Sequence, residues 1–239
     1  DYIAGIKIDD LDITTGGIEN SGSISVLAVA TNGSHGEANL DEIHGLLISD
    51  SNVAGNISNE GTITISAEVG AVGSSAEADL EDVYGIAVES NDFDGSFSND
   101  GNIAITATGR LSGSSSSASL SMDEIYGIYV DNSLTGSFSN SGNITIVADA
   151  SSSGNLTIDD VYGLELNGEI DGNFSSSGTI SVSVNASGQS SVDISVSDIM
   201  GFYVSSDIEG SATHSGSITV DVNVENSSED IELYDKRGL

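Results

Sequence analysis

Cysteine and tryptophan are absent from this 239-residue chain, and basic residues are almost absent. Without cysteine there is no disulfide framework and no thiol chemistry. Only Lys7, Arg110, Lys236 and Arg237 stand against 38 acids, for a formal charge of −34. A chain of that balance has no surface to neutralise phosphates, which excludes nucleic acid and anionic membranes as partners. No apolar run approaches the roughly 18 residues of a membrane span, so direct membrane insertion by this segment is excluded too. Histidine is scarce: His35, His44 and His214 stand at unrelated positions, with no metal-binding His pair, nucleophile elbow or phosphate loop. The chain therefore reads as a non-enzyme.

What the chain does have is repetition. One glycine recurs at Gly5, Gly45, Gly85, Gly127, Gly163 and Gly201, at intervals of 40, 40, 42, 36 and 38 residues. A second recurs at Gly22, Gly61, Gly101, Gly142, Gly178 and Gly216. Self-similarity at this period signals a solenoid or a propeller. Around both glycines the apolar period is two, the spacing of a strand. Ile24, Ile63, Ile103, Ile144, Ile180 and Ile218 follow the second glycine by two residues, with Val26, Ile65, Ile105, Ile146, Val182 and Val220 at four. A bulkier residue, Ile18, Ile57, Phe97, Phe138, Phe174 or Ala212, precedes that glycine by four. The period of two excludes helical repeats, and aromatics at 5% of residues argue against propeller blades. Length varies mainly in Ser/Gly-rich stretches around residues 32–36, 70–75, 109–117, 151–154 and 187–191, which read as exposed turns.

These patterns predict an all-β, right-handed parallel β-helix of about six repeats of roughly 40 residues. A 40-residue unit is long for one coil, so two coils per repeat are expected, making a rod of about 58 Å. Residues 1–228 form the expected solenoid; 229–239 depart from the pattern and read as a cap, a linker or a processing remnant.

Tyr126-Gly-Ile-Tyr-Val130, followed by Gly136-Ser-Phe-Ser-Asn-Ser-Gly-Asn-Ile-Thr-Ile146, resembles the repeats of bacterial autotransporter passenger domains. The resemblance runs through nearly the whole chain. It implies a β-helix displayed outside a Gram-negative cell, as an adhesin or the stalk that presents one. Partners would then be a glycan or protein of a host or neighbouring cell. The alternative is a self-assembling filament subunit, with a second copy stacked end to end, and a minor one is a polysaccharide-active enzyme.

Three columns of residues are candidate sites. Acids gather before the first glycine: Asp41, Glu42, Glu81, Asp82, Asp123, Glu124, Asp159, Asp160 and Asp198. Stacked corners of this kind would form a carboxylate ribbon suited to screening cations or Ca²⁺, although two coils per repeat would set equivalent acids too far apart for one ion to bridge. Asn20, Asn59, Asn99 and Asn140 are expected to hydrogen-bond along the stack, with Ser176 and His214 replacing them later. Tyr84, Tyr126 and Tyr162 could pack at a corner or offer ring faces to a sugar. No cofactor is expected.

Overall fold

Val, Ile and Thr at alternate positions favour a pleated strand with one dry face, and the chain uses them that way throughout. The computed structural model describes residues 2–33, 36–113, 117–189, 193–226, 231–233 and 236–237. Parts of the Ser/Gly-rich stretches at 32–36, 109–117 and 187–191 lie outside them, as does His35. The described residues contain strands and no α-helix.

Each repeat is one turn of a parallel β-helix with five faces. In the third repeat these are Val83–Glu89, Asp92–Asp94, Phe97–Asn99, Asn102–Ser112 and Ser119–Met122. Equivalent strands pair in parallel from repeat to repeat, giving five stacked sheets. Register is continuous: Ile3, Ile43, Val83, Ile125, Val161 and Ile199 form one column. Ile24, Ile63, Ile103, Ile144, Ile180 and Ile218 form another.

The expectation of two coils per repeat is thereby overturned, because a whole repeat closes one turn and hydrogen-bonds directly to the next. At about 4.8 Å per coil, six coils rise roughly 29 Å, half the length the two-coil reading gave. The accessible surface of 9840 Å² is close to the roughly 10,000 Å² of an ordinary compact protein of this mass.

Inward residues merge into a single buried column from Ile24 to Ile199. Phe97, Phe138 and Phe174 stack within it, their centroids 5.1 and 5.5 Å apart and their planes within 9°. The two glycines are required by close approach. A Cβ on Gly85 would run into the Gly127 carbonyl and the Ile103 side chain, and one on Gly101 into the Gly61 carbonyl. The corner before the first sheet uses left-handed backbone at Glu42, Asp82, Glu124, Asp160 and Asp198, with φ between 47° and 54°. That conformation costs an L-residue roughly 1–2 kcal/mol, and it explains why the apolar steps of three break the alternation there.

Two boundaries differ from the sequence reading. The fourth sheet's strands run on to Val72, Ser112, Ser152 and Gly188, so the stretches expected as turns begin inside strands. Segments of the closing 229–239 stretch join the stack: Ile231–Leu233 pairs with Ile194–Val196, and Lys236–Arg237 with Ile199–Met200. The next residue, Gly238, stands 37 residues after Gly201. The two described segments thus add to the stack in register.

Candidate functional site

The inward positions are committed to the core, so chemistry falls to the outward residues of the sheets and to the corners. On the first sheet one outward column runs Ala4, His44, Tyr84, Tyr126, Tyr162, Met200, and a second runs Lys7, Leu47, Ala87, Tyr129, Glu165, Tyr203. Of these, Leu47, Tyr84, Ala87, Tyr126 and Tyr162 form an apolar cluster separate from the core, with Tyr129 and Met200 packed against it. His44 and Tyr84 stack at 5.0 Å and 5°, and Tyr84 and Tyr126 at 5.0 Å and 17°. Tyr126 and Tyr162 meet at 5.3 Å. All four rings are buried. Their faces are taken up by one another, so the sugar-stacking role expected for Tyr84, Tyr126 and Tyr162 is not available in this arrangement. Sequence reasoning set His44 apart, yet register puts it in the tyrosine row. Burial and the Lys7 charge hold its pKa down at about 4, so the ring is neutral, which suits its stacked position.

Corner acids hold the row from one side. The Tyr84 hydroxyl lies 2.9 Å from Asp82 Oδ1 and 2.8 Å from Glu124 Oε2. Both carboxylates lie within reach of the one phenol proton. Burial first, then the Glu124 partner, raises the pKa of Asp82. Tyr162 donates to Asp160 at 2.7 Å. Burial lifts the pKa of Tyr84, Tyr126, Tyr129 and Tyr162 far above the ordinary phenol range. None of them ionises at neutral pH.

With one coil per repeat, equivalent acids are neighbours, and the distance argument against a bridging ion no longer holds. Of the nine ribbon acids, Asp123, Asp159 and Asp160 converge, with ligand oxygens within 4.8 Å of one another. The Ser197 hydroxyl donates to Asp159 at 2.8 Å, and the Glu124 amide to Asp123 at 2.9 Å. Burial raises both Asp123 and Asp160. Three carboxylates are half of the six to eight oxygens that Ca²⁺ prefers, so any ion held here would keep several waters. The other six acids lie along the same ribbon without joining this group.

The asparagine ladder forms as expected. Asn20 donates to Asn59 at 2.7 Å, Asn59 to Asn99 at 2.6 Å and Asn99 to Asn140 at 2.7 Å. It stops where serine is too short to continue it, leaving Asn140 Nδ2 and Ser176 Oγ buried and unpaired.

The fourth sheet is a different surface. Its strands are nine to eleven residues long, so the face spans roughly 30 Å in each direction. Its outward residues are largely hydroxyls, among them Thr62, Thr64, Thr106, Thr145, Thr179 and Thr219. Only Glu68, Arg110, Asp149, Asp221 and Glu225 are charged, so four of 38 acids lie here. Towards the end of the strands is an open hollow of about 380 Å³ lined by Arg110, Asp149, Asn185, Asn223 and Glu225. Within it Asn185 donates to Asp149 at 2.7 Å. The sequence analysis assigned no site to these hydroxyls. Their signal was the drop in charge along one strand of every repeat. Comparison with protein-family models, with curated proteins and with solved structures finds no match.

Proposed function

We propose that this chain is a rigid extracellular display section, a β-helical stalk or adhesin segment that presents the fourth sheet to a neutral surface glycan. The observation that carries the reading is the hollow of about 380 Å³ on the hydroxyl face. It sets two amides, two carboxylates and a guanidinium around an open space, on a broad face that carries only four of the chain's 38 acids. Stacked coils with continuous register supply the stiffness such a surface needs. Each coil adds only about 4.8 Å, so reach would come from more coils of the same kind.

The edge of the first coil favours a second reading as a filament subunit. Tyr2, Ile6 and Leu11 are exposed there, beside strand edges without a partner coil. A preceding coil or another copy would each cover them.

The test is binding of the purified chain to an array of neutral and acidic glycans, beside variants Asp149→Ala and Asn223→Ala. Retention of a neutral oligosaccharide, lost in both variants, supports the reading. Absence of any retained glycan, or retention untouched by either variant, rejects it.

A further inference from the structure

The outer strip of the first sheet already holds one ammonium group. Lys7 Nζ lies 3.6 Å from the centroid of the Tyr2 ring and 3.4 Å from Asp9 Oδ2. The column that contains Lys7 continues in register to Tyr129, Glu165 and Tyr203. Around Glu165 the same ingredients recur in larger number, with no ion pair to Glu165 among the described residues. Tyr126 lies 5.4 Å from Tyr129 and 5.3 Å from Tyr162, and Tyr162 lies 6.1 Å from Tyr203, centroid to centroid. Glu165 is only 8% exposed; the Asn167 side chain hydrogen-bonds its carboxylate, while its Oε2 is buried with no hydrogen-bond partner. The charges that act on it are those of Asp160, Glu124 and Asp131. Lys7 and Arg110 are engaged elsewhere, Lys7 with Asp9 and Arg110 with Glu68.

We propose that the strip around Glu165 is a binding site for an organic ammonium group, and that its occupant is a lysine side chain on a basic segment of a partner protein. A buried carboxylate oxygen without a donor is costly, and an ammonium brings three donors to it. Tyr129 and Tyr203, which stand outside the buried row of stacked rings, add cation–π attraction, which strengthens when the cation is desolvated. A net charge of −34 draws basic segments towards the surface at long range. Arginine fits less well, because its planar fork is matched to two coplanar acceptors. A metal ion fits less well again, because phenol rings and one carboxylate do not make an oxygen shell. Tyr203, 41% exposed, is the ring that turns outward to admit the ligand, a change of rotamer. Nothing in this site depends on the glycan reading of the fourth sheet.

Binding is measured on the whole chain at fixed ionic strength with a fluorescent Gly-Ser-Lys-Ser-Gly peptide, and with its arginine and norleucine versions. The lysine peptide should bind, the arginine peptide at least tenfold more weakly, and the norleucine peptide not at all. Glu165→Gln should weaken lysine binding at least tenfold, and Glu60→Gln, an exposed acid at another corner, less than twofold. Affinity should also rise from pH 6 to 8 as Glu165 ionises among Tyr126, Tyr129, Tyr162, Tyr203, Glu124, Asp131 and Asp160.

Equal loss in the two variants, or equal binding of lysine and arginine, would mean diffuse attraction and overturn the proposal. So would displacement of the peptide by micromolar Ca²⁺ at constant ionic strength, which would make the site a metal site. Tighter binding in Arg237→Gln, whose backbone stands one coil beyond Met200, would assign the site to the chain's own cation. If Glu165→Gln does not fold, Tyr129→Leu carries the test, since Leu47 occupies the equivalent position in the second coil. It should fold and bind several-fold more weakly, and unchanged binding in it would overturn the proposal.

Discussion

The outer faces of the first and fourth sheets share one core and one alternation, yet they have opposite fates. On the first sheet the outward residues are tyrosine, leucine, alanine and a carboxyl group, stacked until Leu47 and Ala87 are fully buried. On the fourth most are threonine, serine and asparagine, joined in the first two coils by exposed Leu27, Val29 and Val72. The difference shows that a strand's period reports only which side faces the core. The chemistry of the other side decides whether it becomes a second packed layer or a surface for binding.

The largest effect should come from breaking what the two faces share. Ile144→Asp puts an unpaired carboxylate into the column between the third and fifth coils and should cost more than about 4 kcal/mol. Its neighbour Thr145 is exposed on the fourth face, and Thr145→Asp should cost less than about 0.5 kcal/mol. Denaturant midpoints measure both, and similar losses would mean the inside and outside assignments are wrong.

Next comes the contrast between the outer layers themselves. Tyr126→Ala removes a ring packed against Tyr84, Tyr129 and Tyr162 and should cost about 3 kcal/mol, as for a core aromatic. Thr106→Ala on the fourth face should stay within about 0.5 kcal/mol. A Tyr126 variant as stable as wild type would show that the strip is a surface after all.

The inward half of this architecture was legible in the sequence because burial imposes a strict period on it. Ile103, Ile144 and Phe138 fall on the core side as their spacing requires, and the asparagine ladder follows from equivalent positions alone. The number of coils per repeat was not legible. One coil of 40 residues and two of 20 carry the same glycine interval, and only long-range pairing such as Ile63 with Ile103 separates them. The covered strip was half legible. Tyrosines beside the first glycine were visible, but that Leu47 and Ala87 lie on the outside with them was hidden by the bulge at the glycine. Glu165 could not be singled out among 38 acids, because its distinction is burial. Its signal was position: in the fifth repeat it stands where Tyr129 and Tyr203 stand in the repeats on either side.

A smaller effect separates the faces by pH. Asp79, Glu81, Asp82, Glu89, Asp123, Asp160 and Glu165 all have pKa values above their ordinary range, with burial the first cause in each. Unfolded, they ionise near pH 4. Above that pH the folded chain binds more protons than the unfolded one, so stability falls as pH rises through the folded pKa values, to about 7 for Glu165. Asp9, held low by the Ser49 hydroxyl, works the other way below pH 4. The melting temperature should therefore be higher at pH 5 than at pH 8. Glu165→Gln should recover about 1–2 kcal/mol at pH 8, after allowance for solvent screening, and almost nothing at pH 5. Equal shifts at both pH values would show that Glu165 is not the buried acid responsible.

The smallest effect tests the corner that borders the first sheet. Salt should stabilise the chain by screening its net charge, and NaCl, MgCl₂ and CaCl₂ should converge once ionic strength is matched. A site at Asp123, Asp159 and Asp160 would add a difference between Ca²⁺ and Mg²⁺, because Ca²⁺ tolerates an irregular oxygen shell that Mg²⁺ does not. Three protein carboxylates with water in the remaining positions suggest millimolar affinity. At ten times such a dissociation constant the gain is about 1.4 kcal/mol, a few degrees in a chain of this size. Asp159→Asn should erase that difference, whereas Asp221→Asn on the fourth face should leave it intact. If both ions shift the melting temperature equally in the wild-type chain, the corner carboxylates act only as a charged border to the aromatic strip, holding its phenols from one side without gathering an ion of their own.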